Sequence, residues 1–279
     1  MEEAVFQEVA DLALQGSGQL IPHSRAYLVE ARLAPILRRE GFSEVGELMA
    51  CLKARPNSKL QSETLAALTS KQTSFFRDKE MLERIAGHLL PMLAESAGEE
   101  PLRIWCAGGA AGHEAYSLAI MLEESEDLRD HPVEILSTDI SEKSTNAARA
   151  GKFNHFDVQK GLSIHRLLRH FSRLETGEWQ VSQTLAKRVA VRTHNLLHDA
   201  SGLGEFDIIL CRNVISGMAQ SARAKVLLNL ARQLNDGGVL VLGQGESATG
   251  MVDGLEPSRE MRGAFTRKVA RNDLSTAAA

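Results

Sequence analysis

The sequence predicts an α/β protein in which an all-helical N-terminal part precedes a parallel, doubly wound sheet. Over residues 1 to about 80, apolar residues recur at helical spacing and no convincing strand interrupts them. From about residue 100, short apolar runs alternate with ten- to fifteen-residue helical patterns, the signature of a parallel sheet. A break in that alternation at residues 151–190 predicts an inserted subdomain.

The elements follow in chain order. Val5, Val9, Leu12 and Ala13 mark a first helix, and Leu28, Ala31, Leu33, Ile36 and Leu37 a second. Further helices are expected over Glu44–Ala54 and Ser62–Thr69, with Gly16-Ser17-Gly18, Gly41 and Arg55-Pro56-Asn57-Ser58 as turns. Leu102–Ala107 reads as a buried strand, followed by a Gly/Ala turn and a helix over His113–Glu124. Val133–Asp139 is the next strand, with a helix starting near Ser141. Phe206–Cys211 and Gly238–Gly243 are two more, with a helix over Ser221–Leu234 between them that Asn235-Asp236-Gly237-Gly238 closes. Trp179–Val181 and Val189–Val191 are expected as short strands of the insertion. The last fifteen residues, ending Ser275-Thr276-Ala277-Ala278-Ala279, read as a frayed tail.

Composition narrows the class. At 279 residues with 43% hydrophobic and 24% charged, the chain can bury a core without disulfides or metals. Its three cysteines, Cys51, Cys106 and Cys211, are scattered and form no C-x-x-C pair, which fits a reducing compartment. No apolar run approaches the ~18 residues needed to span a bilayer, and Met1-Glu2-Glu3-Ala4 is acidic where a secretory signal is basic. A net charge of −4 argues against a general nucleic-acid binder. The expectation is a soluble cytoplasmic enzyme.

Two features suggest a ligand. The turn Ala107-Gly108-Gly109-Ala110-Ala111-Gly112-His113-Glu114 lets backbone N–H groups and a helix start approach a ligand closely, although plain packing would use the same small residues. Its spacing fails the G-x-G-x-x-G pattern, which disfavours a nicotinamide or flavin. Asp139 ends the second strand, where a carboxylate can accept hydrogen bonds from a ribose. It could instead cap the following helix, a task for which Ser141 is also available. A glycine turn and a strand-tip acid without a phosphate-binding lysine fit a nucleoside lacking polyphosphate, of which S-adenosylmethionine is the obvious member.

Several ordered segments resemble the chemotaxis protein methyltransferases, enzymes that esterify glutamates of bacterial chemoreceptors. The resemblance spans roughly residues 3 to 250. Its most specific segment is Leu68-Thr69-Ser70-Lys71-Gln72-Thr73-Ser74-Phe75-Phe76-Arg77-Asp78, similar to the family's T-N-x-T-x-F-F-R joint. It continues through Trp105 to Ser117, Thr138-Asp139-Ile140, Asn195-Leu196-Leu197 and Cys211-Arg212-Asn213-Val214. The resemblance implies an N-terminal helical domain, residues 1–78, and a Rossmann-like class I methyltransferase domain, residues 79–279, with residues 151–190 as a small inserted β-subdomain that in some members docks a receptor tail. It implies S-adenosylmethionine as cofactor, S-adenosylhomocysteine as product, and no metal. The partner would be the cytoplasmic domain of chemoreceptors, met by a monomer without nucleic acid or membrane insertion.

By the same resemblance, Glu114 would hold the amino acid end of the cofactor and Asp139 its ribose, with Asn195 and Leu196 beside the adenine. Thr73 and Arg77 would approach from the joint, and Arg212 and Asn213 from the fourth strand's tip. The chain departs from the pattern at Lys71, at Ala110-Ala111 in the cofactor loop and at Ala115. The family's R-N-V-x-x-Y-F reads Arg212-Asn213-Val214-Ile215-Ser216-Gly217-Met218 here, so Gly217 stands at the tyrosine position. The alternative is a non-catalytic S-adenosylmethionine-binding interaction protein of the same descent; the segment 215–218 separates the two readings.

A glutamate side chain has a pKa of ~4.3 and is ionised at neutral pH, so its methylation needs alignment and partial desolvation rather than a general base. Arg77 is the candidate to hold that carboxylate in a plane, against the plainer reading of a surface arginine pairing with Asp78 or Glu80. Arg25, Arg32 and Arg39 recur every seven residues, giving either a basic face for an acidic receptor helix or a merely solvated one. His194 and His198 are four apart but flank a loop-like stretch and read as incidental rather than as metal ligands. Cys211 reads as a small core residue rather than a nucleophile.

Overall fold

The computed structural model describes residues 1–69, 72–259 and 261–267. Helices α1 (Glu3–Ser17), α2 (Ala26–Glu40), α3 (Val45–Ala54) and α4 (Lys59–Leu68) make up the N-terminal part. Their apolar stripes close on one core that includes Phe6, Val9, Leu33, Leu48 and Leu52. Residues 79–97, to which the sequence reading assigned no element, form α5 (Lys79–Arg84), a π-helical turn (Ile85–Leu89) and α6 (Leu90–Ala97). Leu82, Ile85, Leu89 and Leu90 there are buried against the sheet.

The main sheet has seven strands. Taken along the chain they are β1 (Leu102–Ala107), β2 (Val133–Asp139), β6 (Val189–Thr193), β7 (Phe206–Cys211), β8 (Leu234–Leu242), β9 (Leu255–Pro257) and β10 (Ala264–Arg267). Their spatial order is β6-β2-β1-β7-β8-β10-β9, parallel from β6 to β8 and antiparallel over the last two. Helix α7 (His113–Glu124) joins β1 to β2, α8 (Glu142–Ala150) follows β2, and α12 (Gln220–Arg232) joins β7 to β8. A strand with both faces covered sends alternate side chains into two cores. Ile104 and Cys106 accordingly pack on one face, and Trp105 and Ala107 on the other.

The insertion is a second, antiparallel sheet of β3 (Lys152–Phe153), β4 (Phe171–Arg173) and β5 (Trp179–Val181), in the order β3-β5-β4. Short helices α9 (His155–Gln159), α10 (Ile164–His170) and α11 (Gln183–Arg188) complete it. Trp179–Val181 is thus a strand of the insertion as expected, but Val189–Val191 is not. It belongs to β6, the edge strand of the main sheet, where Ile135 of β2 pairs with Val189 and Asp139 with Thr193. Alternating β-branched residues suit either sheet, and only the partner decides between them.

Two other boundaries differ from expectation. The Asn235–Gly238 turn is absorbed into β8, which starts at Leu234 and passes a register shift opposite Phe206 and Ile208. The expected tail is a strand at its start, since Ala264–Arg267 forms β10; residues 268–279 lie outside the described residues. No helix among the described residues is long and apolar enough to cross a membrane.

The insertion is held to the main fold by Glu124 at the end of α7. Its carboxylate accepts from Arg166 Nε at 3.0 Å and Nη2 at 2.8 Å, and meets His170 Nε2 at 3.1 Å. Burial raises the Glu124 pKa, but the Arg166 and His170 hydrogen bonds outweigh it and leave the carboxyl below its ordinary value. The folded chain therefore keeps Glu124 ionised to lower pH than the unfolded chain does. The resulting stability is complete above the ordinary carboxyl range and is lost as pH falls through it. Glu124→Ala is expected to cost about 1.5–3 kcal/mol at pH 7 in urea unfolding. The difference from the parent should shrink as the pH is lowered below 4.5.

Candidate functional site

Where neighbouring connections leave a parallel sheet in opposite directions, the carboxyl ends of the strands open a crevice. Here that point lies at β1, with β2 on one side and β7 on the other. A cavity of about 370 Å³ opens there. Gly108, Asp139 and Arg212, which line it, sit at or just beyond the ends of β1, β2 and β7. Thr73 and Arg77 from the joint, and Gln19 and Arg25 from the N-terminal part, close the opposite wall.

Arg212 ties these walls together. Its side chain is only 2% exposed, and Nη1 donates to Glu114 Oε2 at 2.6 Å. Nη2 donates to Asp78 Oδ2 at 2.7 Å and to the Arg77 carbonyl at 2.8 Å. Burial opposes the charge on Arg212, but Glu114 and Asp78 prevail and push its pKa up. Burial pushes the Glu114 carboxyl up as well, and Arg212 pulls against that. The joint is anchored by Phe75 and Phe76, both buried, and by the Phe76 N–H donating to Ser117 Oγ on α7 at 2.9 Å.

Backbone conformation marks the same place. Among the described residues, Asn57, Phe76, Asp78, Ala110 and Asn213 are the non-glycine positions in the left-handed region. Asp78 and Phe76 flank Arg77, and Ala110 and Asn213 line the cavity. Such conformations cost of order 1–3 kcal/mol each and persist where surrounding contacts over-determine them. At Ala110 the determining contact is visible: its N–H donates to Asp139 Oδ2 at 3.0 Å.

Asp139 also accepts from the Ser141 N–H at 2.9 Å, while Ser141 Oγ caps α8 by accepting from Ser144 N–H. Asp139 is therefore not the cap of α8; it lines the cavity and holds the small-residue loop against the end of β2. A Cβ added at Gly109 would lie 2.3 Å from Ser137 Oγ, so this loop lies flat on the strand and presents backbone to the cavity. Two carboxylates, Glu114 and Asp139, line the cavity, and no lysine does among the described residues. Three arginines, Arg25, Arg77 and Arg212, line it as well, and the two carboxylates are the acceptors it offers to a ribose or a cationic group.

The sequence-predicted residues Thr73, Arg77, Glu114, Asp139, Asn195, Leu196, Arg212 and Asn213 all line this one cavity. Arg77 pairs with neither Asp78 nor Glu80 among the described contacts; its Nη1 donates to the Gln72 carbonyl at 2.9 Å. The basic stripe is a different matter. Arg25 reaches the cavity from a 3₁₀ turn ahead of α2. Arg32 Nη1 donates to the Leu68 carbonyl at 2.5 Å, and Arg39 pairs with Glu40 and Glu63. Two of the three arginines at seven-residue spacing thus already have partners, a helix end for Arg32 and carboxylates for Arg39, while both stay exposed. His194 lines the cavity, and Cys211 is fully buried with its thiol pushed well up, first by burial. Among the described residues no group of three or more His, Cys, Asp or Glu could hold a metal ion.

Two contributors escaped the sequence reading. Glu246, beyond β8, accepts from three backbone N–H groups: Asn213 at 2.8 Å, Ser216 at 2.9 Å and Gly243 at 2.9 Å. It fixes the loop after Arg212, yet nothing in its local sequence distinguishes it from a surface glutamate. Gln19 reaches the cavity through a strand-like contact between residues 18–20 and 217–219 that no local periodicity announces. Removing one partner of a buried ion pair strands the others, at a cost of about 3–5 kcal/mol. Arg212→Ala should lower stability by that amount in urea unfolding, whereas exposed Arg38→Ala should leave it unchanged.

The family model described as "CheR methyltransferase, SAM binding domain" matches residues 71–262. The chain is 34% identical over 245 residues to "Chemotaxis protein methyltransferase 1" of Vibrio cholerae, covering 87% of this chain and 88% of that one. It is 32% identical over 240 residues to "Chemotaxis protein methyltransferase 1" of Pseudomonas aeruginosa, covering 85% and 87%. A third relative, "Chemotaxis protein methyltransferase Cher2" of Pseudomonas putida, is 29% identical over 252 residues, covering 89% and 92%. With this sheet, this cavity and these relatives, the chain belongs to the CheR methyltransferase family.

Proposed function

We propose that this protein transfers a methyl group from S-adenosylmethionine to glutamate side-chain carboxylates of chemoreceptors, in the cytoplasm. The observation that carries the reading is the convergence of Glu114, Asp139, Asn195, Arg77 and Arg25 on one cavity at the strand ends. In this reading residues 79–279 hold the cofactor and residues 1–78 meet the receptor. Asp139 takes the ribose and Glu114 the cationic amino acid end, held in place by Arg212. Asn195 and Leu196 flank the adenine, and Asn195 Nδ2 also donates to the Gly16 carbonyl at 2.7 Å, coupling that wall to α1.

When bound, S-adenosylmethionine supplies an activated methyl group: a carboxylate oxygen forms the new C–O bond as the S–C bond breaks and its electron pair returns to sulfur, leaving a methyl ester and S-adenosylhomocysteine. No proton moves, because the acceptor is already ionised. The residues therefore need to align and desolvate rather than act as acid or base. Arg77 and Arg25 are the cations offered to the acceptor, since Arg212 is committed to Glu114 and Asp78. A planar guanidinium orients a carboxylate through two parallel donors.

The direct test is calorimetric titration with S-adenosylmethionine and S-adenosylhomocysteine, followed by a base-labile methyl-ester assay on receptor-bearing membranes. Binding without transfer to any receptor would identify a non-catalytic member of the family. Asp139→Ala should weaken S-adenosylmethionine binding by about 1.5–3 kcal/mol, the scale of a charge-assisted hydrogen bond, with the fold checked by circular dichroism. Arg77→Ala should lower kcat by roughly 10²-fold, the loss expected when a reacting group is misplaced by about an ångström. Lysine should rescue it poorly, and full activity of Arg77→Ala would remove the residue from the mechanism.

A further inference from the structure

We propose that Gln19 is a substrate-binding residue: its carboxamide occupies the space that a side chain at position 217 would take, and its N–H donates to the acceptor carboxylate. This rests on the methyl-transfer reading above.

Gly217 lines the cavity but contributes no side chain to it. A Cβ added there would lie 2.7 Å from Gln19 Oε1 and 3.8 Å from Gln19 Cδ, and among the described residues beyond its chain neighbours it would meet no other atom within 4 Å. The position is therefore not empty space; it is filled by a polar group from the N-terminal part. That relation is fixed by backbone. The Leu20 N–H donates to the Gly217 carbonyl and the Ala219 N–H to the Gly18 carbonyl, each at 2.9 Å, with Gln19 opposite Met218 in an antiparallel bridge. The Asn195 amide holds the Gly16 carbonyl just upstream, at 2.7 Å.

The donor itself is lightly held. Gln19 Nε2 lies 3.5 Å from the Val214 carbonyl, at the outer limit of a hydrogen bond and longer than the usual ~2.7–3.2 Å. The Arg212 Nη donors, by contrast, are bound at 2.6–2.8 Å to groups of the protein. An incoming carboxylate can thus capture the Gln19 N–H at the loss of little. A neutral donor also orients an anion without tying up its charge as tightly as a second ion pair would.

The test uses the full chain, S-adenosylmethionine and receptor-bearing membranes, with kcat and receptor KM measured for Gln19→Glu, Gln19→Ala and Gly217→Ala. Affinity for S-adenosylhomocysteine is followed by calorimetry and folding by urea midpoint. Gln19→Glu keeps size and shape but opposes the substrate's charge. It should reduce kcat/KM on the order of 10²-fold, more than Gln19→Ala at about tenfold, with the product affinity within about twofold of the parent. Gly217→Ala pushes the carboxamide aside and should mimic Gln19→Ala, and the double variant should be no worse than either single one. A packing role alone would spare Gln19→Glu, so parental kinetics in that variant overturn the inference while leaving the methyl-transfer reading intact. A parent that binds S-adenosylhomocysteine yet methylates no receptor overturns both.

Discussion

A buried guanidinium on the sheet axis sets the shape of the cavity. Arg212 leaves the end of β7 and reaches the first turn of α7 through Glu114 and the joint through Asp78 and the Arg77 carbonyl. Its Nε has no hydrogen-bond partner among the described residues, so the buried charge rests on the ligands of its two Nη groups, and losing any of them leaves it uncompensated. The three segments can therefore adopt one mutual arrangement and few others. That arrangement places Arg77 beside the strand ends although its own side chain is exposed and, among the described residues, donates to the Gln72 carbonyl. Its position is inherited from the carbonyl of its own residue, held by Arg212.

Glu246 does the same for the far side of Arg212. Three N–H donors converge on it from Asn213, Ser216 and Gly243, so the loop carrying Gly217 is pinned at both ends. Buried carboxylates that accept from backbone amides organise loops which have no secondary structure to organise them. Together Arg212 and Glu246 make the rim of the sheet stiff where the left-handed residues Asp78, Ala110 and Asn213 concentrate.

The parts of the molecule legible in sequence are those whose signal is local. Leu102–Ala107 and Phe206–Cys211 read as strands because both faces are buried, and each starts and ends as expected. Asp139 and the glycine loop stood out because an acid at one strand tip and small residues after the neighbouring strand fall in two short local segments, although neither alone separates a ligand site from packing or capping. Val189–Val191 was assigned to the wrong sheet because a β-branched run does not name its partner. The π-helical turn at Ile85–Leu89 carried an apolar pattern at 82, 85, 89 and 90 that a fuller periodicity reading would have found. Arg32 and Arg39 show a limit of another kind: spacing on a helix face does not reveal that the Leu68 carbonyl or Glu63 shares the charge.

Gln19 and Gly217 extend that point to motif comparison. Taken along the chain, Gly217 is a missing side chain in an otherwise matching segment, and absence suggests loss. Taken in space, the volume is occupied, and a side chain at 217 would have to displace the Gln19 carboxamide rather than enter a void. What a site needs physically is polar groups in the right place, and a short antiparallel contact between 18–20 and 217–219 brings the Gln19 carboxamide there from the other end of the chain. A departure from a family pattern therefore has to be judged by what fills the space, because the residue that answers it need not lie anywhere near it in sequence.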